Sequence, residues 1–154
     1  MKSTKIISAF PACGKSYIFN QEVVSCLDSD SSKFSWVLDD EGNSTGTRNP
    51  LFPNNYIEHI KANLGKVDYI FVSSHDDVKS ALELNGLSYT LVMPESTLKY
   101  EWIGRCWARG NDEGFLNLIN NMWETWTDKE ILENKWNPSE LIYLKSGEYL
   151  SDKL

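Results

Sequence analysis

Lys5 to Ser16 reads KIISAFPACGKS, and the fold of the chain turns on how this stretch is parsed. Lys5–Ile6–Ile7–Ser8 is short, apolar and β-branched, as a buried parallel strand requires. Pro11 breaks that pattern, and Gly14–Lys15–Ser16 opens a helix running on through Tyr17, Ile18 and Phe19. A strand, a tight loop ending in Gly-Lys-Ser and a helix make up a phosphate-binding unit. Pro11, Ala12, Cys13, Gly14, Lys15, Ser16 and Tyr17 would then wrap a polyphosphate, using successive backbone N–H groups and the positive end of the helix. Lys15 would reach the outer phosphates, and the Ser16 hydroxyl would take a Mg²⁺ ligand position. The usual pattern is G-x-x-x-x-G-K-[ST], and Ala9 stands where its first glycine belongs. Alanine serves there if its φ stays negative. The plainer alternative is a strand–turn–helix that happens to contain Gly-Lys-Ser.

Bulk properties narrow the class. With 154 residues the chain is expected to be one domain with a sizeable core. A hydrophobic fraction of 41% and no run of 18 apolar residues leave no transmembrane helix. Met1–Lys2–Ser3–Thr4 leads straight into a strand, with no room for a signal peptide. Cys13, Cys26 and Cys106 are odd in number and show no paired spacing, against a disulfide framework or a zinc site. A cytoplasmic protein is expected. A net charge of −7 disfavours a grip on long nucleic acid, which calls for a basic face. Small anions remain open, because a few local positive groups suffice for them.

Along the chain, Glu22 to Leu27 reads as a second strand ending in Asp28–Ser29–Asp30. Carboxylates just beyond a strand's C-terminal end lie at the ligand edge of an open α/β sheet. One of Asp28 and Asp30 could hold magnesium through water while the other orients or deprotonates an acceptor hydroxyl. A helix or turn cap is the alternative. Phe34 to Leu38 is apolar and aromatic, and Asp39 to Gly46 reads as a polar loop. Beyond it, Trp36, Arg48 and Phe52 suit a second ligand, the arginine for a phosphate and the rings for a base to stack on. A surface loop with a solvated arginine fits equally. A helix is expected over Tyr56 to Leu64, capped by Asn55 and ended by Gly65.

Val67 to Ser73 is the third strand, followed by a helix over Val78 to Asn85. Asp76 and Asp77 fit the first turn of that helix better than a magnesium-ordering pair. Ser88 to Pro94 is the fourth strand. In the helix after it, Glu101, Arg105 and Arg109 fall on one face at four-residue spacing. Two of the chain's three arginines stand there, where they could clamp a transferring phosphoryl group. One Glu–Arg pair and a solvated arginine is the bland alternative. Phe115, Leu118, Ile119, Met122 and Trp126 mark an amphipathic helix facing the core. Glu140 to Leu144 is a fifth strand, with Ser146–Gly147–Glu148 a hairpin turn into Tyr149–Leu150. Alternating strands and helices imply an α/β fold with a parallel sheet.

AFPACGKS, the DSD after the second strand and EWIGRCWARG after the fourth together resemble the nucleoside and nucleotide kinases. The Asp-x-Asp also resembles shikimate kinase, and the chain is similar to small kinase-like proteins of bacteriophages. The resemblance implies a three-layer P-loop NTPase fold. It would have a central parallel five-stranded sheet of order 2-3-1-4-5, helices on both faces, and a helical lid at about residues 95–112. It further implies Asp28 for magnesium, Asp30 for the acceptor hydroxyl, and Arg105 and Arg109 as lid arginines. The activity expected is transfer of the γ-phosphoryl of ATP, with Mg²⁺, to a small acceptor such as a (deoxy)nucleoside monophosphate, with Glu101 beside the acceptor. Two alternatives stand beside it. A polynucleotide 5′-end kinase conflicts with the acidic balance, and a non-catalytic nucleotide-binding module fits the imperfect loop. A homodimer is left open, as is a host-cytoplasmic location for a phage-encoded chain.

Overall fold

The computed structural model describes residues 3–19, 25–29 and 32–154, and of Ser16, Phe19, Asp28 and Ser32 only the backbone enters the description. Its elements in chain order are β1 (Lys5–Ala9), α1 (Lys15–Phe19), β2 (Cys26–Asp28), α2 (Ser32–Ser35), β3 (Trp36–Leu38), β4 (Ser44–Arg48) and α3 (Asn54–Asn63). There follow β5 (Tyr69–Ser73), α4 (Asp76–Leu84), β6 (Tyr89–Pro94), α5 (Lys99–Ala108), α6 (Glu113–Thr127), α7 (Lys129–Lys135) and β7 (Glu140–Leu144). Short 3₁₀ turns cover Ser96–Leu98 and Leu150–Asp152.

Five strands form a parallel sheet in the order β2-β5-β1-β6-β7. Flanked by helices, this is an α/β architecture compatible with a Rossmann-like fold. The order differs from the expected label 2-3-1-4-5 because an antiparallel hairpin, β3–β4, intervenes and forms a sheet of its own. Within the parallel sheet the strands stand second, third, first, fourth, fifth. β1 lies in the middle, paired with β5 on one side and β6 on the other. Both of its edges are therefore paired, and Ile6, Ile7, Ser8 and Ala9 are all buried, as in a strand covered on both faces. The one hydroxyl among them is satisfied by donating to the Ser73 carbonyl at 2.9 Å. Phe71, Val72, Leu91 and Val92 extend this core, and Tyr56, Ile60, Leu82, Trp102 and Trp123 close it from the helices. Each such side chain contributes about 1.5–3 kcal/mol by leaving water.

Several local expectations are corrected. The second strand, expected over Glu22 to Leu27, is seen at Cys26–Asp28, while residues 20–24 lie outside the description. The expected polar loop at Asp39 to Gly46 is the turn and second strand of the hairpin. There the Asp39 carboxylate accepts from the Glu41 and Asn43 N–H groups at 3.0 and 2.9 Å, and Gly42 takes φ 84°. β4 is exposed throughout, so it carries none of the apolar alternation by which strands are recognised. Asn55 does not cap α3. It lies inside the helix, and its amide donates to the Phe34 carbonyl at 2.9 Å. The turn at Ser146–Gly147–Glu148 leads to the 3₁₀ turn at Leu150–Asp152, not to a hairpin strand. Among the described residues no disulfide joins Cys13, Cys26 or Cys106, and no helix is long and apolar enough to cross a membrane.

Candidate functional site

The loop after β1 is shaped by what holds its carbonyls. β1 releases the chain at Phe10, whose N–H still donates to the Val92 carbonyl at 3.0 Å. Three consecutive carbonyls are then taken by groups outside the loop. Trp102 Nε1 donates to Pro11 at 3.0 Å, Arg105 Nη1 to Ala12 at 3.3 Å, and the Leu150 N–H to Cys13 at 2.7 Å. Ala12 and Gly14 adopt φ 63° and 97°. Such left-handed residues within a turn bring successive amides to one side in a concave nest. The amides of Ala12, Cys13 and Gly14 donate to no acceptor among the described residues. Ala12 is also the only described non-glycine residue with positive φ. Ala9, the departure from the glycine pattern, is simply the buried end of β1, and the strain lies three residues further on.

The nest opens into a cavity of about 630 Å³. Ala12, Gly14 and Lys15 form one wall; Gly104, Arg105, Ala108 and Arg109 of α5 form another, and Tyr149 closes the end. Gly104 and Ala108, one helical turn apart, keep the α5 wall low between the two arginines. Among the described residues the charged groups lining it are Lys15, Arg105 and Arg109, with Arg105 ion-paired to Glu101 at 3.1 Å. Tyr149 sits against Gly14, where a Cβ would stand 3.1 Å from its Cδ1.

The two arginines are not equivalent. Arg105 is 11% exposed, lies between the rings of Trp102 and Tyr149 at 3.8 and 4.0 Å, and donates to three acceptors. Besides the Ala12 carbonyl, these are the Glu148 carbonyl at 2.8 Å and the Glu101 carboxylate at 3.1 Å. It ties the loop to the C-terminal turn. Arg109 is exposed at the end of α5, and its side chain's only hydrogen bond among the described residues runs from Nε to Asn111 at 2.6 Å. Its terminal nitrogens remain available to a ligand. Glu101, expected beside an acceptor, instead accepts from Ser146 Oγ at 2.5 Å and the Gly147 N–H at 3.1 Å. The Ser146 hydroxyl, then the Gly147 N–H, hold its carboxyl below the usual carboxylate range. The segment 95–112, expected as a lid, is in this structure packed down through the fully buried Trp102 and Cys106.

The remaining site residues divide. Cys13 is buried beneath the loop, and burial pushes its thiol up to about 12, so it is inert at neutral pH. Tyr17 is 59% exposed on α1 and does not line the cavity. Trp36, Arg48 and Phe52 do come together, the guanidinium lying 4.9 Å from the Trp36 ring and 5.8 Å from that of Phe52. They stand at the hairpin, and Arg48 itself covers the tryptophan face that was expected to take a base. Asp30 and the side chains of Ser16 and Asp28 lie outside the description. Between those aspartates, Ser29 accepts from the Tyr56 hydroxyl at 2.6 Å and shares a hydrogen bond with His59 Nε2 at 3.0 Å. His59 also packs on Phe34, ring centres 4.8 Å apart. Sequence reasoning passed over His59; its one signal was its place one turn after Tyr56 on the inward face of α3. Asp76, meanwhile, spends its carboxylate on Lys135 at 2.8 Å and Lys79 at 3.7 Å. Among the described residues no group of three His, Cys, Asp or Glu could hold a metal ion.

The chain matches no protein-family model, and no curated protein is significantly similar to it in sequence.

Proposed function

We propose that the chain is a phosphotransferase of the P-loop kinase type, moving the γ-phosphoryl of ATP to a (deoxy)nucleoside monophosphate. The observation that carries this reading is the loop's inside-out bonding. Three carbonyls are held by Trp102, Arg105 and the Leu150 N–H, and the Ala12 and Gly14 amides, unpaired among the described residues, border a cavity whose charged lining groups among those residues are Lys15, Arg105 and Arg109. Amides left unsatisfied by the protein call for an acceptor of matching shape, and phosphate oxygens fit it.

In this reading the donor's phosphates lie on those amides, with Lys15 at the outer phosphates. Arg109 closes from α5 and supplies fixed positive charge where negative charge develops. Arg105 acts as a positioning residue: it keeps the Ala12 carbonyl turned out and Tyr149 against Gly14. A phosphate acceptor is already anionic and needs no strong base, so the chain's task is alignment and charge stabilisation. Ser16 and Asp28 would be the residues to hold a magnesium ion, which would supply neutralisation of phosphate charge.

The test is ATP-dependent phosphorylation of a nucleotide panel by the wild type and by Lys15→Ala. Turnover of at least one monophosphate, lost in Lys15→Ala with an unchanged circular dichroism spectrum, is expected. Wild-type inactivity on every acceptor would overturn the kinase reading. One observation favours a second reading, a nucleotide-binding module without turnover: Arg105 is already saturated by protein acceptors. ATP binding with no turnover on any acceptor would select it.

A further inference from the structure

A second cavity of about 460 Å³ opens at the same C-terminal edge of the sheet, among α4, α6 and α7. The stripe on α6 expected to face the core divides here. Ile119 is fully buried, whereas Phe115, Leu118, Met122 and Trp126 line this cavity with Met93 at the end of β6. Its size falls in the range of small-molecule sites, which pair a mostly apolar lining with a few placed polar groups.

The polar end is unusual in its charge. Lys79 lines the cavity with its side chain only 4% exposed. Its ammonium is ion-paired with Asp76, whose Oδ1 stands at 3.7 Å, long for a hydrogen bond, while Asp76 Oδ2 is held by Lys135 at 2.8 Å. The Trp136 ring covers one side of the ammonium at 4.4 Å. That contact offsets part of the desolvation and accepts no N–H bond. Buried ammonium groups are ordinarily paired and hydrogen-bonded, and burial lowers this one to about 8 against the opposing pull of Asp76. Among the charged lining groups two lysines stand against one aspartate, with Glu83 a further negative charge acting on Lys79 from outside the lining. Ser74 and Thr125 add two hydroxyls that bond to nothing else among the described residues.

We propose that this cavity binds a small amphipathic monoanion, its aromatic body among Met93, Phe115, Met122 and Trp126 and its carboxylate on the Lys79 ammonium. A single carboxylate completes the hydrogen bonding of Lys79, and an aromatic ring matches the sulfur and π surfaces of the lining. Because Phe10 and Pro11 also border the cavity, the bound molecule lies against the loop that follows β1. The site stands independently of the kinase reading, since neither Lys79 nor the apolar residues that would hold the anion are used there.

Isothermal titration of the full chain with 1-naphthylacetate and with its neutral amide, 1-naphthylacetamide, tests this. The acid is expected to bind saturably, one per chain, at least about tenfold tighter than the amide, the usual range for a hydrogen bond to a charged group. Lys79→Met is expected to erase that preference, leaving amide binding unchanged. Leu118→Trp, at a side chain 47% exposed and so open to a larger residue, is expected to weaken both ligands about tenfold by filling the cavity. Absence of saturable binding, equal affinities for acid and amide, or a preference that survives Lys79→Met would overturn the proposal. If Lys79→Met does not fold, the wild-type preference together with Leu118→Trp decides it.

Discussion

Ala12 and Gly14, two residues apart in one turn, are expected to answer substitution with opposite signs. Gly14 has φ 97°, and a Cβ there would stand 3.1 Å from Tyr149 Cδ1 and 3.3 Å from Tyr149 Cβ. In Gly14→Ala the left-handed backbone costs about 1–2 kcal/mol. Relief of the clash moves Tyr149 off Arg105 and strains the 2.7 Å bond from the Leu150 N–H to the Cys13 carbonyl, about 0.5–1.5 kcal/mol more. A loss of about 1.5–3.5 kcal/mol follows, or roughly 3–14 °C in Tm for a chain of this length. Ala12 already bears a left-handed conformation with φ 63°. Glycine there removes about 1–2 kcal/mol of strain and adds about 0.4–1 kcal/mol of unfolded-state entropy. Ala12→Gly is therefore neutral or stabilising by up to about 1.6 kcal/mol. Urea and thermal unfolding followed by circular dichroism measure both variants. A Gly14→Ala protein within about 0.5 kcal/mol of wild type, or an Ala12→Gly protein that is clearly destabilised, would refute this account of the turn.

Arg105→Leu leaves the Ala12 and Glu148 carbonyls without their donor and is expected to lower stability by about 2–4 kcal/mol in urea unfolding. Arg109→Leu, at an exposed side chain, is expected to change stability by less than about 0.5 kcal/mol while weakening ATP in titration calorimetry. Tyr56→Phe removes the hydroxyl bonded to the Ser29 carbonyl at 2.6 Å and is expected to cost about 1 kcal/mol, read by the same unfolding assay. Glu101→Gln tests the acid side. The folded carboxyl is depressed below its ordinary 4.5, so its contribution is present above that value and is lost as pH falls below it. Wild type is expected to lose more stability than Glu101→Gln as pH drops below 4.5, and parallel profiles would contradict that role.

The parallel strands were legible because β1, β5, β6 and β7 are short apolar runs bounded by turns, and a buried strand writes its burial directly into residue type. The loop was legible because Gly14 and Lys15 sit at the junction of strand and helix. The hairpin was not, since Ser44–Arg48 faces solvent on all sides and its pairing rests on turn geometry at Asp39 and Gly42. Four-residue spacing placed Arg105 beside Arg109 correctly. It could not show that Arg105 is occupied, because the carbonyls that hold it come from Ala12 and Glu148, 93 and 43 residues away in the chain. His59 was missed for the same reason, its partner Ser29 being 30 residues distant. The apolar stripe of α6 reads identically whether it faces a core or a cavity. Only the packing of α4 and α7 around it makes the difference.

The amide cradle is tested most directly by ¹H–¹⁵N chemical shifts of the full chain titrated with ATP and Mg²⁺. Downfield shifts of the Ala12 and Gly14 amide protons, saturating together and leaving the Leu118 and Thr125 amides in place, are the expected result. Saturable ATP binding that leaves those two amides unmoved, or no binding at millimolar ATP, would contradict it.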